Sequence, residues 1–240
     1  MRSTWFCLPS CRPKAEADAC FAKWKALGYR IAILRQGDAV DNVDIQIPTP
    51  AYLGWAKSTN ILAKHVIIND RHASWIVGGG DDYCPDLEHD ASLIGMECVN
   101  HFSGTFGVMQ PTGDRWGDEA RSRARYGEDR GAYIDRVAGS PWMGREWIER
   151  SYQGFGPMWD GYHHCFADEE LQEVAIKLGV FWQRRDLVQY HDHAGRKSQN
   201  IEDWPPHLLP AITGANWDRD KAMFADRKGK GFPGHEALPL

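Results

Sequence analysis

Three short groups of side chains carry most of the chemical potential of this sequence. The first is Gly78-Gly-Gly-Asp-Asp82, directly after the apolar run Trp75-Ile-Val77. Adjacent carboxylates repel unless a cation or tight hydrogen bonding compensates. Such oxygen ligands suit hard divalent cations, Mg²⁺ or Mn²⁺, which also hold substrate phosphates. The alternative is a polar turn, since Gly and Asp are ordinary turn residues. The second group is Asp168-Glu169-Glu170. It stands where a helix opens, and the helix dipole alone would account for three acids there. The third is His191-Asp-His193. On an extended segment the two imidazoles face one side, and either can be a metal ligand through a ring nitrogen.

The elements that must position these groups are legible as hydrophobic patterns. Thr4 to Leu8 reads as a first strand, and Pro9-Ser-Cys-Arg-Pro13 turns the chain. Ala15 to Leu27 has a helical period (Ala19, Cys20, Phe21, Trp24, Leu27), and Gly28 is its C-cap. Tyr29 to Leu34 is strand two, closed by Gln36-Gly-Asp38. Strand, helix and strand with short links make a βαβ unit and hence a parallel pair. An acid ending strand two often contacts a ribose or base; for Asp38 a plain turn role is the equal alternative. Val43 to Ile47 alternates as a third strand. Tyr52 to Lys64 is helical with Leu53, Ala56, Ile61 and Leu62 inward, and His65 to Asn69 is a further short strand. Trp75-Ile-Val77 is then a buried strand whose carboxyl end carries Asp81 and Asp82, where open α/β sheets bind ligands. Residues 1–86 thus read as a nucleotide-binding α/β half with a cation site at its end.

In the second half, Leu87 to His101 is helical through Leu87, Ala91, Ile94 and Cys98, and Phe102 to Gln110 is Gly-rich and β-like. Residues 111–136 lose periodicity and read as a long surface loop containing Arg115, Arg121, Arg123, Arg125, Arg130 and Arg136. Around 137–147, Ser140 is a candidate N-cap and Pro141 a candidate first helical residue. Residues 151–162 form a loop rich in aromatics. The helix opened by Asp168 turns Leu171, Val174, Ala175 and Leu178 inward. Gly179 to Gln183 is a strand, and Leu187 to Tyr190 leads into the histidines. A C-terminal extension, 201–240, holds one helix near Trp217 to Arg227 and ends polar, flexible and mildly basic. No internal repeat is present.

The 240 residues suffice for one sizeable domain with a decorated tail. A net charge of −5 gives no general pull towards nucleic acid, though a local basic groove is compatible with it. Six cysteines without a paired C-x-x-C spacing argue against a structural zinc site. Some of the eleven tryptophans could serve as flat platforms for sugars or bases. No run is long enough to span a membrane, and the apolar part of the first ten residues is too short for a secretory signal, so a cytoplasmic location is expected.

In this order, Gly80-Asp81-Asp82, Ala167-Asp-Glu-Glu-Leu171 and His191-Asp-His193 resemble the motifs of glycosyltransferases of the GT-A fold, closest to the family-2 group. The resemblance spans roughly residues 4 to 196 and implies a Rossmann-like α/β domain over 1–200. A mixed, mostly parallel sheet flanked by helices would join a nucleotide-sugar half (1–86) to an acceptor half (87–200). In that family an acid cluster after a central strand holds a divalent cation, Mn²⁺ or Mg²⁺, on the donor diphosphate. Asp82 matches it. The pattern here is Gly-Asp-Asp rather than Asp-x-Asp, which leaves Asp81 to face the donor sugar or ribose, with Pro9, Ser10, Arg12 and Asp38 also on the donor side. The family's catalytic base lies in Glu-Asp-x-Glu-Leu. Here the first acid is missing, Asp168 aligns as base, and a one-residue slip would make it Glu169. A late histidine completes the metal shell, which His193 or His191 fits. Trp142, Arg145 and Glu146 fall on the acceptor side.

The resemblance implies sugar transfer from a nucleotide sugar, a UDP-sugar foremost, to an acceptor hydroxyl, with inversion if Asp168 is the base. The strings Gly104 to Trp116 and Ala138 to Trp147 resemble a bacteriophage-encoded or environmental subgroup. They point to a 5-hydroxymethylpyrimidine in phage DNA as acceptor, with the arginines of 115–136 on the phosphates. A saccharide or lipid-linked acceptor, a non-catalytic nucleotide- or sugar-binding module, and a metal-dependent nuclease are the alternatives.

Overall fold

A computed structural model describes residues 2–111, 139–184, 186–192 and 214–237. Its core is a seven-stranded sheet: β1 (Ser3–Ser10), β2 (Arg30–Arg35), β3 (Ile45–Pro48), β4 (Ala73–Val77), β6 (Val108–Pro111), β7 (Trp142–Gly144) and β8 (Phe181–Arg184), in the order β3-β2-β1-β4-β7-β6-β8. Strands β3, β2, β1 and β4 are mutually parallel; β7 is antiparallel to both neighbours, and β6 pairs β8 in parallel. The expected mixed, mostly parallel sheet is therefore present.

Helices α1 (Lys14–Ala26) and α2 (Trp55–Asn69) make the crossovers into β2 and β4. Alternation along β1 divides the core between the two faces. Trp5 and Cys7 pack with Leu62, Ala63, Val66 and Ile67 of α2, while Phe6 and Leu8 pack with Phe21 and Trp24 of α1. On the α1 face lies α3 (Ala91–Phe102); on the α2 face lie α4 (Arg145–Arg150) and α5 (Ala167–Lys177). From β1 the chain steps outward to β2 and β3, then returns to place β4 on the other side of β1. The β1/β4 crevice at the strands' carboxyl ends is thus a topological switch point, where ligands of open α/β sheets bind.

Several local expectations are corrected. Residues 65–69 are the last turn and a half of α2, not a strand. The β-branched run suggests a strand, but Val66 and Ile67 continue the buried face of Leu62 and Ala63 at helical spacing. Each such burial is worth about 1.5–3 kcal/mol, which outweighs a propensity difference of a few tenths. Within α2, Leu53 precedes the helix and Ile61 is turned out. Leu87 is also exposed and outside its helix, whose N-cap is Asp90, accepting from the Leu93 amide at 2.8 Å. Ser140 and Pro141 do not open a helix. They lead into β7, and the helix starts at Arg145 after Gly144. The Pro141 carbonyl accepts from the Gly78 amide, so this segment joins the sheet centre. Phe102 ends α3 rather than starting a strand.

The C-terminal helix α6 runs Gly214–Gly229. Its end is not simply polar and flexible: Arg227 and Phe232 are buried, because Arg227 pairs with the wholly buried Glu170 of α5. Among the described residues, no helix is long and apolar enough to cross a membrane.

Asp70, just after α2, accepts hydrogen bonds from Ser3 Oγ (2.7 Å), Trp5 Nε1 (2.9 Å) and Arg30 (3.1 Å), tying the amino end of β1 to α2. Burial opposes its charge, but the bonds from Ser3 and Trp5, the His72 amide and the Arg30 charge prevail and hold its pKa at about 2. A depressed carboxyl contributes stability that is full above its unfolded pKa of about 3.9 and is lost as pH falls towards 2. Asp70→Asn is expected to cost about 1–2 kcal/mol at pH 7 and much less at pH 2.5. Urea titrations at the two pH values check this; an equal loss at both would contradict it.

Candidate active site

The site is built on the carboxyl ends of β1 and β4. After Val77 three glycines carry the chain under Trp55, whose Nε1 donates to the Gly79 carbonyl at 2.9 Å. From the opposite face Trp24 Nε1 donates to the Tyr83 carbonyl, also at 2.9 Å. Between these two indoles the chain folds so tightly that a Cβ on Gly80 would stand 2.6 Å from Asp82 Oδ1.

The two carboxylates take different roles. Asp81 is buried, and its Oδ2 accepts from Ser10 Oγ (2.9 Å), the Cys11 amide (2.9 Å) and the Arg12 amide (3.0 Å). It thereby fastens the turn after β1 to the turn after β4. Burial raises its pKa, the Arg12 amide and Ser10 oppose the rise, and the neighbouring Asp82 charge adds to it. Asp82 is only slightly more exposed, its side chain 14% accessible against 10% for Asp81. Its Oδ2 lies 3.0 Å from His191 Nε2 and 3.7 Å from the Arg12 guanidinium.

His191 reaches this point through a two-stranded sheet, β5 (Tyr83–Cys84) with β9 (Tyr190–His191), in which Tyr83 pairs with His191. Their rings stack at 4.0 Å and 17°. Asp86 holds this segment in place by accepting from the Val188 amide at 2.6 Å.

Asp168 stands at the first turn of α5, with Oδ1 accepting from the Glu169 amide at 3.1 Å. A Cβ on Gly139 would touch both Tyr83 Oη (2.9 Å) and Asp168 Oδ2 (3.9 Å), which puts Asp168 across a narrow gap from the Tyr83–His191 stack. Burial raises the Asp168 pKa, opposed by the Glu169 amide, its own amide and His191. Glu169 is raised to about 7 by burial and by Asp168 and Glu173, with Lys228 opposing. Among charged groups, Lys228 of α6 acts on Glu169 and His191 acts on Asp168.

His164, two residues before the start of α5's lead-in at Phe166, joins the same region. Its Nδ1 lies 2.6 Å from Tyr52 Oη. Burial first, then the adjacent His163, push its pKa down to about 4, so the imidazole is neutral at pH 7; Asp82 and Asp220 pull the other way.

The structure thus brings together Ser10, Arg12, Asp81, Asp82, His191 and Asp168. Pro9 is half-buried in β1, paired with Leu34. Asp38 is exposed in the turn after β2, where its carbonyl accepts from Arg35 Nε at 2.8 Å. His193 and the arginines of 115–136 lie outside the described residues. Three expected acceptor residues are not brought to the site. Trp142 is fully buried in β7, its indole N–H on Gln189 at 2.7 Å. Arg145 lies at the other end of the sheet, because β7 is antiparallel to β4 and pairs Gly144 with Trp75. There it donates to the Ile67, Asp70 and Ala73 carbonyls and caps α2. Glu146 lies beside it, its amide on Thr105.

Sequence reasoning missed Arg35. It is buried at the carboxyl end of β2, donating to Ser10 Oγ at 2.8 Å, and Ser10 donates in turn to Asp81. An arginine ending an otherwise apolar strand was the available signal. Tyr52, Tyr83 and His164 were missed as well.

A carboxylate oxygen and an imidazole nitrogen 3.0 Å apart are spaced as two neighbouring ligands, each about 2.1 Å from one octahedral centre, would be. A small divalent ion keeps several waters and takes substrate phosphates, so two protein donors suffice, and the pair fits. Among the described residues, no group of three or more His, Cys, Asp or Glu side chains is placed to hold a metal ion.

No protein-family model matches this sequence, and no curated protein matches it. Among solved structures, one similar chain is the catalytic domain of Drosophila β1,4-galactosyltransferase 7 in complex with xylobiose. The TM-score is 0.49 at 12% identity, over 86% of this chain and 78% of that one. Another is a glycosyltransferase involved in glycosylation of the major capsid of PBCV-1, with a TM-score of 0.35 at 10% identity, over 92% of this chain and all (100%) of that one.

The loop bearing His163 and His164 rests on Gly54, whose φ is +99° and whose Cβ, if present, would stand 2.5 Å from the His163 carbonyl oxygen. Backbone cannot yield as a side-chain tip can, and non-Gly residues at such φ carry strain of about 1–3 kcal/mol. Gly54→Ala should lower the melting temperature by several degrees. Calorimetry showing an unchanged midpoint would contradict this close approach.

Proposed function

We propose that this chain is a GT-A-like glycosyltransferase that moves a sugar from a nucleotide-sugar donor to an acceptor hydroxyl. The observation that carries the reading is the pairing of Asp82 with His191 at the β1/β4 switch point, with Asp168 across the gap beside Gly139. The motif order in the sequence supports it independently.

A divalent cation bound by Asp82 and His191 would offset the negative charge that grows on the departing diphosphate. Arg12, within 4 Å of both carboxylates, supplies a fixed positive charge beside that position. Arg35 holds Ser10, and Ser10 with the two following amides holds Asp81, so the donor side is organised before any ligand arrives. Asp168 is the base. The acceptor oxygen attacks the anomeric carbon, the bond to the phosphate oxygen breaks, and the hydroxyl proton passes to Asp168. Direct displacement of this kind inverts the anomeric centre. His164, neutral at pH 7, and the Tyr52 hydroxyl bonded to it bring no further charge to this side. The acceptor enters this proposal as a hydroxyl; hydroxymethylated DNA and a saccharide are the two classes to compare.

The test is a panel of UDP-, GDP- and TDP-hexoses, with binding and slow hydrolysis measured with and without Mn²⁺ for the native protein and Asp82→Asn. One donor should be bound and turned over with Mn²⁺, and Asp82→Asn should lose about 10–100-fold in Mn²⁺ affinity or turnover. Both acceptor classes are then offered with that donor. Binding without any turnover would overturn the enzymatic reading, and no donor binding at all would overturn the whole.

A base must be ionised to act, and burial raises the Asp168 pKa. The acid limb of the pH–rate profile should therefore lie above the ordinary carboxylate range near 4. Asp168→Asn should lower kcat about 10²–10⁴-fold with donor affinity kept. Unchanged kcat in that variant would move the role to Glu169.

A further inference from the structure

The C-terminal helix is fastened to the stretch of chain that delivers the crevice's second half. Asp220 of α6 is fully buried, and its carboxylate accepts the amides of three successive residues: His163 (3.0 Å), His164 (2.9 Å) and Cys165 (3.2 Å). Seven residues on, Arg227 makes a two-pronged pair with Glu170, at 2.8 and 2.7 Å. Glu170 also accepts from the hydroxyls of Tyr152 and Tyr162. Phe166, at φ +71° just before α5, packs against Trp217 and Phe224 of α6. Asp168 lies between these anchors. Its backbone is thus held before it by Asp220 and after it by Arg227.

A buried carboxylate of the tail helix thus satisfies three consecutive amides of the loop that leads into Asp168. Those amides carry partial positive charge, and Asp220 is the acceptor that all three share. Without Asp220 they would be left unpaired, at a cost the loop would relieve by moving. The same loop is limited on its other side, where the Trp55 amide donates to the His163 carbonyl at 3.0 Å. Displacement of an acid–base group by about 1 Å costs about a hundredfold in rate.

We infer that α6 is a positioning element of the transfer site, with Asp220 and Arg227 as positioning residues that set His164 and Asp168 against the Asp82–His191 pair. This rests on the transferase reading above. It assigns the tail a role in the chemical step that does not involve touching the donor.

The experiment uses the full chain with whichever of the UDP-, GDP- and TDP-hexoses the native protein hydrolyses fastest in Mn²⁺. Asp220→Ala, Asp220→Asn and Arg227→Lys are compared with Asp70→Asn, which destabilises the opposite end of the sheet. Amide hydrogen exchange over residues 163–168 is read alongside. Asp220→Ala should lower kcat about ten- to a hundredfold with donor KM unchanged, and should speed exchange at 163–165. Asp220→Asn, whose amide oxygen still accepts, should recover much of the loss. Arg227→Lys keeps the charge but loses the fork, and should fall between. Asp70→Asn should leave kcat within about twofold. If Asp220→Ala does not fold, the other two variants decide. A kcat drop in Asp70→Asn equal to theirs, or no drop in any α6 variant, overturns the inference. Absence of turnover by the native chain instead sinks the transferase reading, and this role with it.

Discussion

Two carboxylates adjacent in sequence must share a crevice from which much of the water is excluded, and the surrounding structure is arranged to make that tolerable. Asp81 is neutralised by geometry: one oxygen accepts a hydroxyl and two consecutive amides, all from the turn after β1. Asp82 is set instead against an imidazole and a guanidinium. The division follows from the fold. Only where β1 and β4 run side by side can the turn after one strand supply donors to the acid after the other. Arg35 reinforces it from β2 through Ser10.

The second half of the crevice is assembled by longer reach. His191 comes from a short antiparallel pair with the segment that follows Asp82, so the motif creates its own partner strand. Asp168 comes from α5, across the gap beside Gly139. Strand β7 makes room for this by reversing direction in mid-sheet: it carries Pro141 to the Gly78 loop and Arg145 to the far end. The residues of one short stretch, Ser140 to Arg145, therefore serve opposite ends of the molecule.

What could be read in the sequence follows from how local each cause is. Strands β1 and β2 and helix α1 show in hydrophobic pattern and glycine placement because they are consecutive in the chain and pack on one another, and β4 shows through its own apolar run although its partners β1 and β7 are distant in sequence. The order of the acidic and histidine groups foretold that Asp82 and His191 would lie in one region, although 109 residues separate them. The end of α2 was misread because Val66, Ile67 and Ile68 favour a strand individually, while only the packed face decides for helix. Strand β7 is hidden because three residues give no period, and its partners lie 69 and 35 residues away, at Trp75↔Gly144 and Val108↔Met143. Glu170 looked like a helix-dipole acid. Its buried partner, Arg227, is 57 residues on and in a segment whose composition reads as solvent-exposed.

The loop from Gly78 to Tyr83 is held from both faces of the sheet, by Trp55 on one side and Trp24 on the other. The two charges it carries consequently have little freedom to move apart. Their repulsion becomes a standing deficit in the folding free energy rather than a cost met when a ligand arrives. Thermodynamic linkage then runs in both directions. Whatever neutralises Asp82 and its surroundings also tightens the whole domain, and the empty form is the more readily unfolded one. Occupancy of this crevice would thus also change how readily the chain opens to proteolysis.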